Sequence, residues 1–140
     1  MRIPPAVFRY IEHELYNQDE IRQELQRIKA DIIEGSSAVN HSGGRTGPGD
    51  PTGSKVVKLV SSPSILAMER STRAVDKALQ MLNEDYRMLY ELKYRQRLSW
   101  QEVCDAMPCS ERTYFRLRSK LVLTVGVNLG VINMADCWQE

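Results

Sequence analysis

Apolar side chains recur at helical spacing along most of the chain. After Pro4-Pro5, Val7, Ile11 and Leu15 stand four apart and predict a first helix, which breaks at Tyr16-Asn17. Asn17-x-x-Glu20 reads as a fresh start, with Asn as cap and Glu at the third helical position. Ile21, Leu25, Ile28 and Ile32 then make a narrow seam, and Gly35 is expected to end that helix. Ser62-Pro63 supplies another N-cap and first helical residue. The helix behind it carries Ile65, Met68, Thr72, Val75, Leu79 and Leu82, close to three heptads of an a/d seam. That seam suits packing within the chain or against a second copy. Asn83, followed by Glu84 and Asp85, caps a further helix with Tyr86, Leu89 and Leu92 inward. The fold class predicted is all-α, a helical bundle.

The stretch Leu98 to Leu121 has the most specific pattern. Ser99-x-x-Glu102 is a capping box, and the helix it opens runs to about Met107, where Pro108 biases the preceding residue away from helical geometry. Ser110 caps a second helix, with Glu111 at its positive end. Val103, Cys104 and Met107 form the inner face of the first helix. Cys109 fills the turn, and Tyr114, Leu117 and Leu121 form the inner face of the second. Two short helices joined this tightly predict a helix-turn-helix at 98–121. Arg112, Phe115, Arg116 and Ser119 are left on the outer stripe. Arginine can bond guanine O6 and N7 together, and an apolar ring can meet a thymine methyl. An ordinary helical pair with a wet basic face has the same spacing. Leu117, Leu121, Val125 and Leu129 continue one row, so the second helix is expected to reach about residue 129, followed by an apolar tail that includes Met134 and Trp138.

Residues 35–54 differ in kind. They hold six of the eight glycines together with Pro48 and Pro51, and bury almost nothing, which predicts a flexible loop or a segment ordered by a partner. GDPTGSK imitates a phosphate-binding loop, but Ser54 separates Gly53 from Lys55, so nucleotide hydrolysis is rejected. Lys55 to Val60 reads as the start of another helical piece. The organisation expected is an N-terminal helical segment at 1–34, the loop at 35–54, and a helical DNA-binding domain at 55–140.

Composition changes this picture little, whereas charge distribution sharpens it. The 140 residues carry a net charge of only +1, with 42% hydrophobic and 26% charged residues, ordinary for one modest domain. Residues 86–120, however, hold eight basic against four acidic side chains, a local footprint suited to phosphate. Arg95 and Arg97, just ahead of the two-helix stretch, and Arg118 and Lys120 within it, are expected backbone contacts; Ser110 and the second helix's N-terminus would hold phosphate. No apolar run is long enough for a membrane span and Met1-Arg2 leads into no signal peptide, so a cytoplasmic location is expected. Three cysteines and two histidines lack metal-ligand spacing and read as structural, with no cofactor or metal. Neither clustered carboxylates nor partners for the histidines suggest an enzyme.

The run LNEDYRMLYELKYRQRLSWQEVCDAMPCSERTYFRLRSKL resembles the RinA/ArpU family of phage transcriptional regulators. DIIEGS, the glycine-rich loop, DPTGSKVVKL and the ER-then-AVDKAL helix are similar too, so the resemblance covers roughly residues 16–125. That family is similar to region 4 of bacterial sigma factors, a promoter-gripping module that also touches RNA polymerase. The resemblance implies a phage-encoded activator of late, packaging or lysis genes. Carried onto this chain, its reading positions are Ser110, Glu111, Arg112, Phe115, Arg116 and Ser119. Pro108 stands where such turns usually have glycine, and the tail after Val122 is more apolar than the family suggests.

The function expected is a regulator that binds double-stranded promoter DNA and host RNA polymerase, with homo-oligomerisation open. The alternatives are a DNA-recognition subunit of a viral packaging assembly, and a polymerase-binding adaptor that never reads DNA.

Overall fold

A computed structural model describes residues 3–41 and 62–133, and all its regular elements are helical. In order they are α1 (Pro5–Tyr16), α2 (Gln18–His41), α3 (Pro63–Met81), α4 (Glu84–Leu89), a π-helical stretch (Tyr90–Arg95) continuing α4, α5 (Trp100–Ala106) and α6 (Glu111–Leu129). None is long and apolar enough to cross a membrane, among the described residues.

The chain forms two compact units, one of residues 1–19 with 71–140, the other of residues 20–70. This division differs from the expected boundary at residues 34 and 35. The first helix belongs with the C-terminal helices because Ile11 and Leu15 are fully buried in their core.

That core collects Ile11 and Leu15 from α1, Ala74, Val75 and Ala78 from α3, Tyr86 and Leu89 from α4, and Tyr90 and Tyr94 from the π stretch. Val103 of α5 and Tyr114, Leu117, Leu121, Val122, Val125 and Leu129 of α6 complete it. The expected α3 seam thus packs inside the chain over its C-terminal half. Its deepest positions are the small ones, Ser71, Ala74 and Ala78, with Val75, whereas Leu79 and Leu82 are half-buried. Small residues let helix backbones approach closely, an effect that apolar bulk along a seam does not register. Ser71 is satisfied there: Gln18 Nε2 donates to its Oγ at 2.7 Å, and that Oγ donates to Glu14 Oε2 at 2.8 Å.

In the second unit Leu25 and Ile65 are buried, and Arg27 bridges Glu24 and Asp31 along the exposed side of α2.

Three local expectations are corrected. Asn17 does not cap α2 through its oxygen in the way expected. Its Nδ2 turns back to α1 and donates to the His13 carbonyl at 2.9 Å, satisfying a helix-end acceptor. Gly35 does not stop α2, which continues to His41. One interior glycine costs only about 1 kcal/mol, and no proline follows until Pro48. The third correction lies after Leu89. The helix widens into the π stretch, where Gln96 N donates to Glu91 O at 2.9 Å, an i to i−5 bond. The widened turn carries Tyr90, Lys93 and Tyr94 inward and leaves Leu92 half-buried. Two residues beyond its end stands Arg97, whose φ of 57° is left-handed. Its guanidinium lies over the Tyr16 ring, 5.3 Å from the centroid.

The other predicted N-cap residues each accept a backbone N–H. Ser62 Oγ accepts from Ile65 N, Asn83 Oδ1 from Asp85 N, Ser99 Oγ from Glu102 N and Ser110 Oγ from Thr113 N. Helix α6 runs to Leu129 as expected and stops at Gly130, φ 81°, where Val131 and Ile132 N–H groups donate to the Gly126 carbonyl. The glycine-rich loop beyond residue 41, the piece at Lys55 to Val60, and Met134 and Trp138 lie outside the described residues.

Candidate nucleic-acid interface

Helices α5 and α6 are held together by the side chains their spacing puts inward: Val103, Tyr114, Leu117 and Leu121 are buried, and Cys104, Met107 and Cys109 half-buried. The turn between them needs no glycine. Met107 sits at φ −96°, ψ 15°, and the only left-handed residues described are Arg97 and Gly130. Pro108, which fixes its own φ near the helical range, can therefore occupy the place usual for glycine. Met107 N donates to Val103 O at 2.8 Å and Cys109 N to Cys104 O at 3.2 Å, closing the turn. Partial burial, together with a bond to the Cys109 thiol, pushes the Cys104 thiol upward, which suits an inert structural cysteine.

The outer stripe of α6 is solvent-facing. Glu111, Arg112, Phe115, Arg116, Ser119 and Lys120 are all exposed. Among the described residues, no carboxylate forms an ion pair with Arg112, Arg116 or Lys120. Arg112, Arg116 and Ser119 lie at i, i+4 and i+7, one row on one face, with Phe115 beside it. Ser110 has its hydroxyl engaged in the cap: it accepts from Thr113 N at 3.1 Å and donates to Thr113 Oγ1 at 3.0 Å. An anion at this end would therefore meet backbone N–H groups rather than that hydroxyl.

Other cations expected at phosphate make contacts within the protein. Arg118 is the clearest correction. Its Nε donates to Glu12 Oε2 at 3.0 Å and its Nη2 to Glu12 Oε1 at 2.6 Å, while the guanidinium lies 4.8 Å from the Phe8 ring. The bond to Glu12 raises the arginine's pKa further. Its charge ties α6 to α1 instead of facing outward. Arg95 is shared between Glu91 (2.9 Å) and Asp19 (3.4 Å), and Arg97 is stacked on Tyr16 with Nη2 3.4 Å from the Tyr16 carbonyl. Arg95 and Arg97 stay exposed while making these local contacts, whereas Arg112, Arg116 and Lys120 on α6 are exposed without them.

Glu12 is the centre of a buried polar cluster that sequence reading did not find. Besides Arg118 it accepts from the Tyr94 hydroxyl at 2.7 Å, and Lys93 Nζ stands 3.8 Å away. Lys93 in turn donates to the Tyr16 hydroxyl at 2.8 Å and lies over both the Tyr16 and Tyr94 rings. Burial would raise the Glu12 pKa, but the Arg118 and Tyr94 bonds and the two cations outweigh it and hold the carboxyl below its ordinary value. Every partner is internal, which makes the cluster a fastening for α6. No group of three or more His, Cys, Asp or Glu able to hold a metal ion occurs among the described residues.

Trp100 was also missed. Its spacing to Val103 and Met107 reads as core, yet the side chain is 36% exposed, with its ring centroid 6.3 Å from that of Phe115, itself 39% exposed.

No curated protein and no solved structure matches the chain. A family whose description is "Protein of unknown function (DUF722)" matches residues 9–125, which takes in α2, α3, α4 and α5 whole and most of α1 and α6. The chain belongs to the DUF722 family.

Proposed function

We propose that the protein is a transcription regulator of phage type that binds promoter DNA through α5 and α6, acting as a helix-turn-helix like that of sigma factor region 4, and that it contacts host RNA polymerase. One observation carries the reading: the outer row of α6 presents Arg112 and Arg116 without carboxylate partners, beside Phe115 and Ser119, on a helix fixed from behind by Tyr114, Leu117 and Leu121. Two arginines one turn apart on an exposed helix face suit guanine edges in the major groove, which admits one α-helix. Lys120 and the N-terminal backbone of α6 would meet phosphates and set the register. The resemblance to the RinA/ArpU regulators supports the same reading and supplies the polymerase partner.

With only three unpaired cations on this face, a single copy would hold DNA weakly. Polymerase or a second copy would add the remaining affinity. The test is selection of bound sites from random duplex DNA by the full chain, with and without bacterial RNA polymerase. Recovery of one sequence motif, with retention falling as salt rises, is expected. A chain that retains polymerase and no DNA at low salt would instead be an adaptor.

A further inference from the structure

Trp100 and Phe115 form an exposed aromatic pair that bridges the two helices, and the core does not need it. Phe115 is held from three sides. Tyr114 meets it edge-on at 5.0 Å, the Arg118 guanidinium lies 6.0 Å from its centroid, and Trp100 stands at 6.3 Å. Arg118 is itself clamped by Glu12, so the ring is braced through a buried ion pair. Trp100 is the first residue of α5, positioned by the Ser99 cap. Single exposed apolar side chains need no explanation, but two braced aromatic rings side by side make a preorganised contact surface.

The surroundings choose the partner. Arg112 and Arg116 lie three residues before and one after Phe115 on the same helix, exposed and without carboxylate partners among the described residues. An apolar patch bordered by unpaired cations complements a polyanion that carries apolar groups at a fixed depth. Duplex DNA offers this at the thymine 5-methyl, which projects into the major groove beside the phosphate walls. The two rings are inclined at 41° to one another, so they cannot sandwich an unstacked base between parallel faces, as a single-strand binder would.

We infer that Trp100 and Phe115 together read thymine methyl groups next to the bases contacted by Arg112 and Arg116, with Trp100 a specificity-determining residue. This rests on the DNA-binding function proposed above. The experiment uses the full chain and the duplex recovered by selection, with each thymine replaced in turn by uracil. That exchange deletes the methyl and keeps every hydrogen-bonding group.

At one or two positions the exchange should weaken binding by about four-fold, the effect of withholding one methyl from burial. Trp100→Ala and Phe115→Ala, checked by circular dichroism for an unchanged fold, should bind the thymine and uracil duplexes equally. Should either variant fail to fold, Trp100→Gln and the wild-type comparison alone still decide. Wild-type binding that stays within two-fold at every uracil position overturns the inference while leaving DNA binding intact. In that case, loss of polymerase binding by Trp100→Ala would assign the pair to a protein contact. Failure to recover any duplex would overturn the DNA-binding reading itself.

Discussion

Arg118 and Glu12 are 106 positions apart in sequence and face each other through two parallel bonds, Nε to Oε2 at 3.0 Å and Nη2 to Oε1 at 2.6 Å. Residual exposure is 11% at the Glu12 side chain and 27% at Arg118. The pair ties α1 to the helix that carries the outward-facing arginines, so packing at one end of the chain sets the position of a surface at the other. Breaking a buried pair by deleting one partner leaves the other charge uncompensated. Glu12→Ala strands Arg118 and Lys93 together and removes the acceptor for Tyr94. We expect a loss of about 3 kcal/mol, the lower part of the usual range because Arg118 can reach solvent. Urea denaturation of both proteins measures it, and a loss under about 1 kcal/mol would show that the pair does not fasten the helix.

The same cluster gives the stability a definite pH profile. Glu12 has its pKa lowered in the folded chain, against the opposing effect of burial, by Arg118, Tyr94 and Lys93. A carboxyl depressed on folding contributes stability that is present above its unfolded pKa, ordinarily 4.5, and is lost as the pH falls through the folded value. The stability gap between wild type and Glu12→Gln should stay constant near neutrality and narrow below about pH 4.5. On the alkaline side, burial first and the Glu12 carboxylate second raise the Tyr94 hydroxyl well above its ordinary 10.0. Stability should therefore fall as the pH rises past 10.0, and Tyr94→Phe should flatten that fall. Melting temperatures across the range, wild type against the two variants, check both limbs.

Gly126 lies where α6 is most tightly covered. A methyl group placed on it would stand 2.5 Å from Ile132 Cδ1 and 2.7 Å from Ile11 Cδ1, and its carbonyl receives the N–H groups of Gly130, Val131 and Ile132 at the helix end. Both obstructing atoms are the ends of flexible side chains, so the structure must yield without breaking. Gly126→Ala should destabilise by about 1–3 kcal/mol, the cost of overpacking, despite alanine's better helix propensity. Adding Ile132→Ala to that variant should restore part of the loss, since it vacates one of the two obstructions. A double-mutant cycle read by thermal unfolding decides; strictly additive losses would mean that Ile132 is not the obstruction.

What could be read in advance follows the range of the interaction. Ser62, Asn83, Ser99 and Ser110 are caps because a short polar side chain reaches an amide two or three residues away, and sequence shows both partners at once. The inner face of α5 and α6 was legible for the same reason, as was the run of α6 to Leu129. Glu12 met Arg118 only through the fold, and nothing near either residue marks it. The π stretch shifts the inward register by one, so periodicity put Leu92 where Lys93 and Tyr94 go. On α3, Ser71, Ala74 and Ala78 are buried for being small. Trp100 escaped because its spacing matches the core stripe while its position at the first turn leaves it uncovered. The reading stripe itself was legible as a row. How the cations are partnered was not, since that depends on Glu12, Asp19 and Tyr16 arriving from α1 and the start of α2.

Arg116 and Lys120 separate sequence reading from plain charge. Both are exposed on α6, four residues apart, and neither has a carboxylate partner among the described residues. On the proposed reading Arg116 meets base edges and Lys120 a phosphate. Arg116→Ala should then cost about 1–3 kcal/mol on the selected site, a smaller amount on random DNA, and leave the salt dependence nearly unchanged. Lys120→Ala should weaken both DNAs alike and lower the slope of log affinity against log salt by about one. Fluorescence anisotropy with both duplexes at several salt concentrations distinguishes the two patterns. Equal losses on both DNAs for Arg116→Ala would make it a phosphate contact, and base readout would have to come from Arg112 alone.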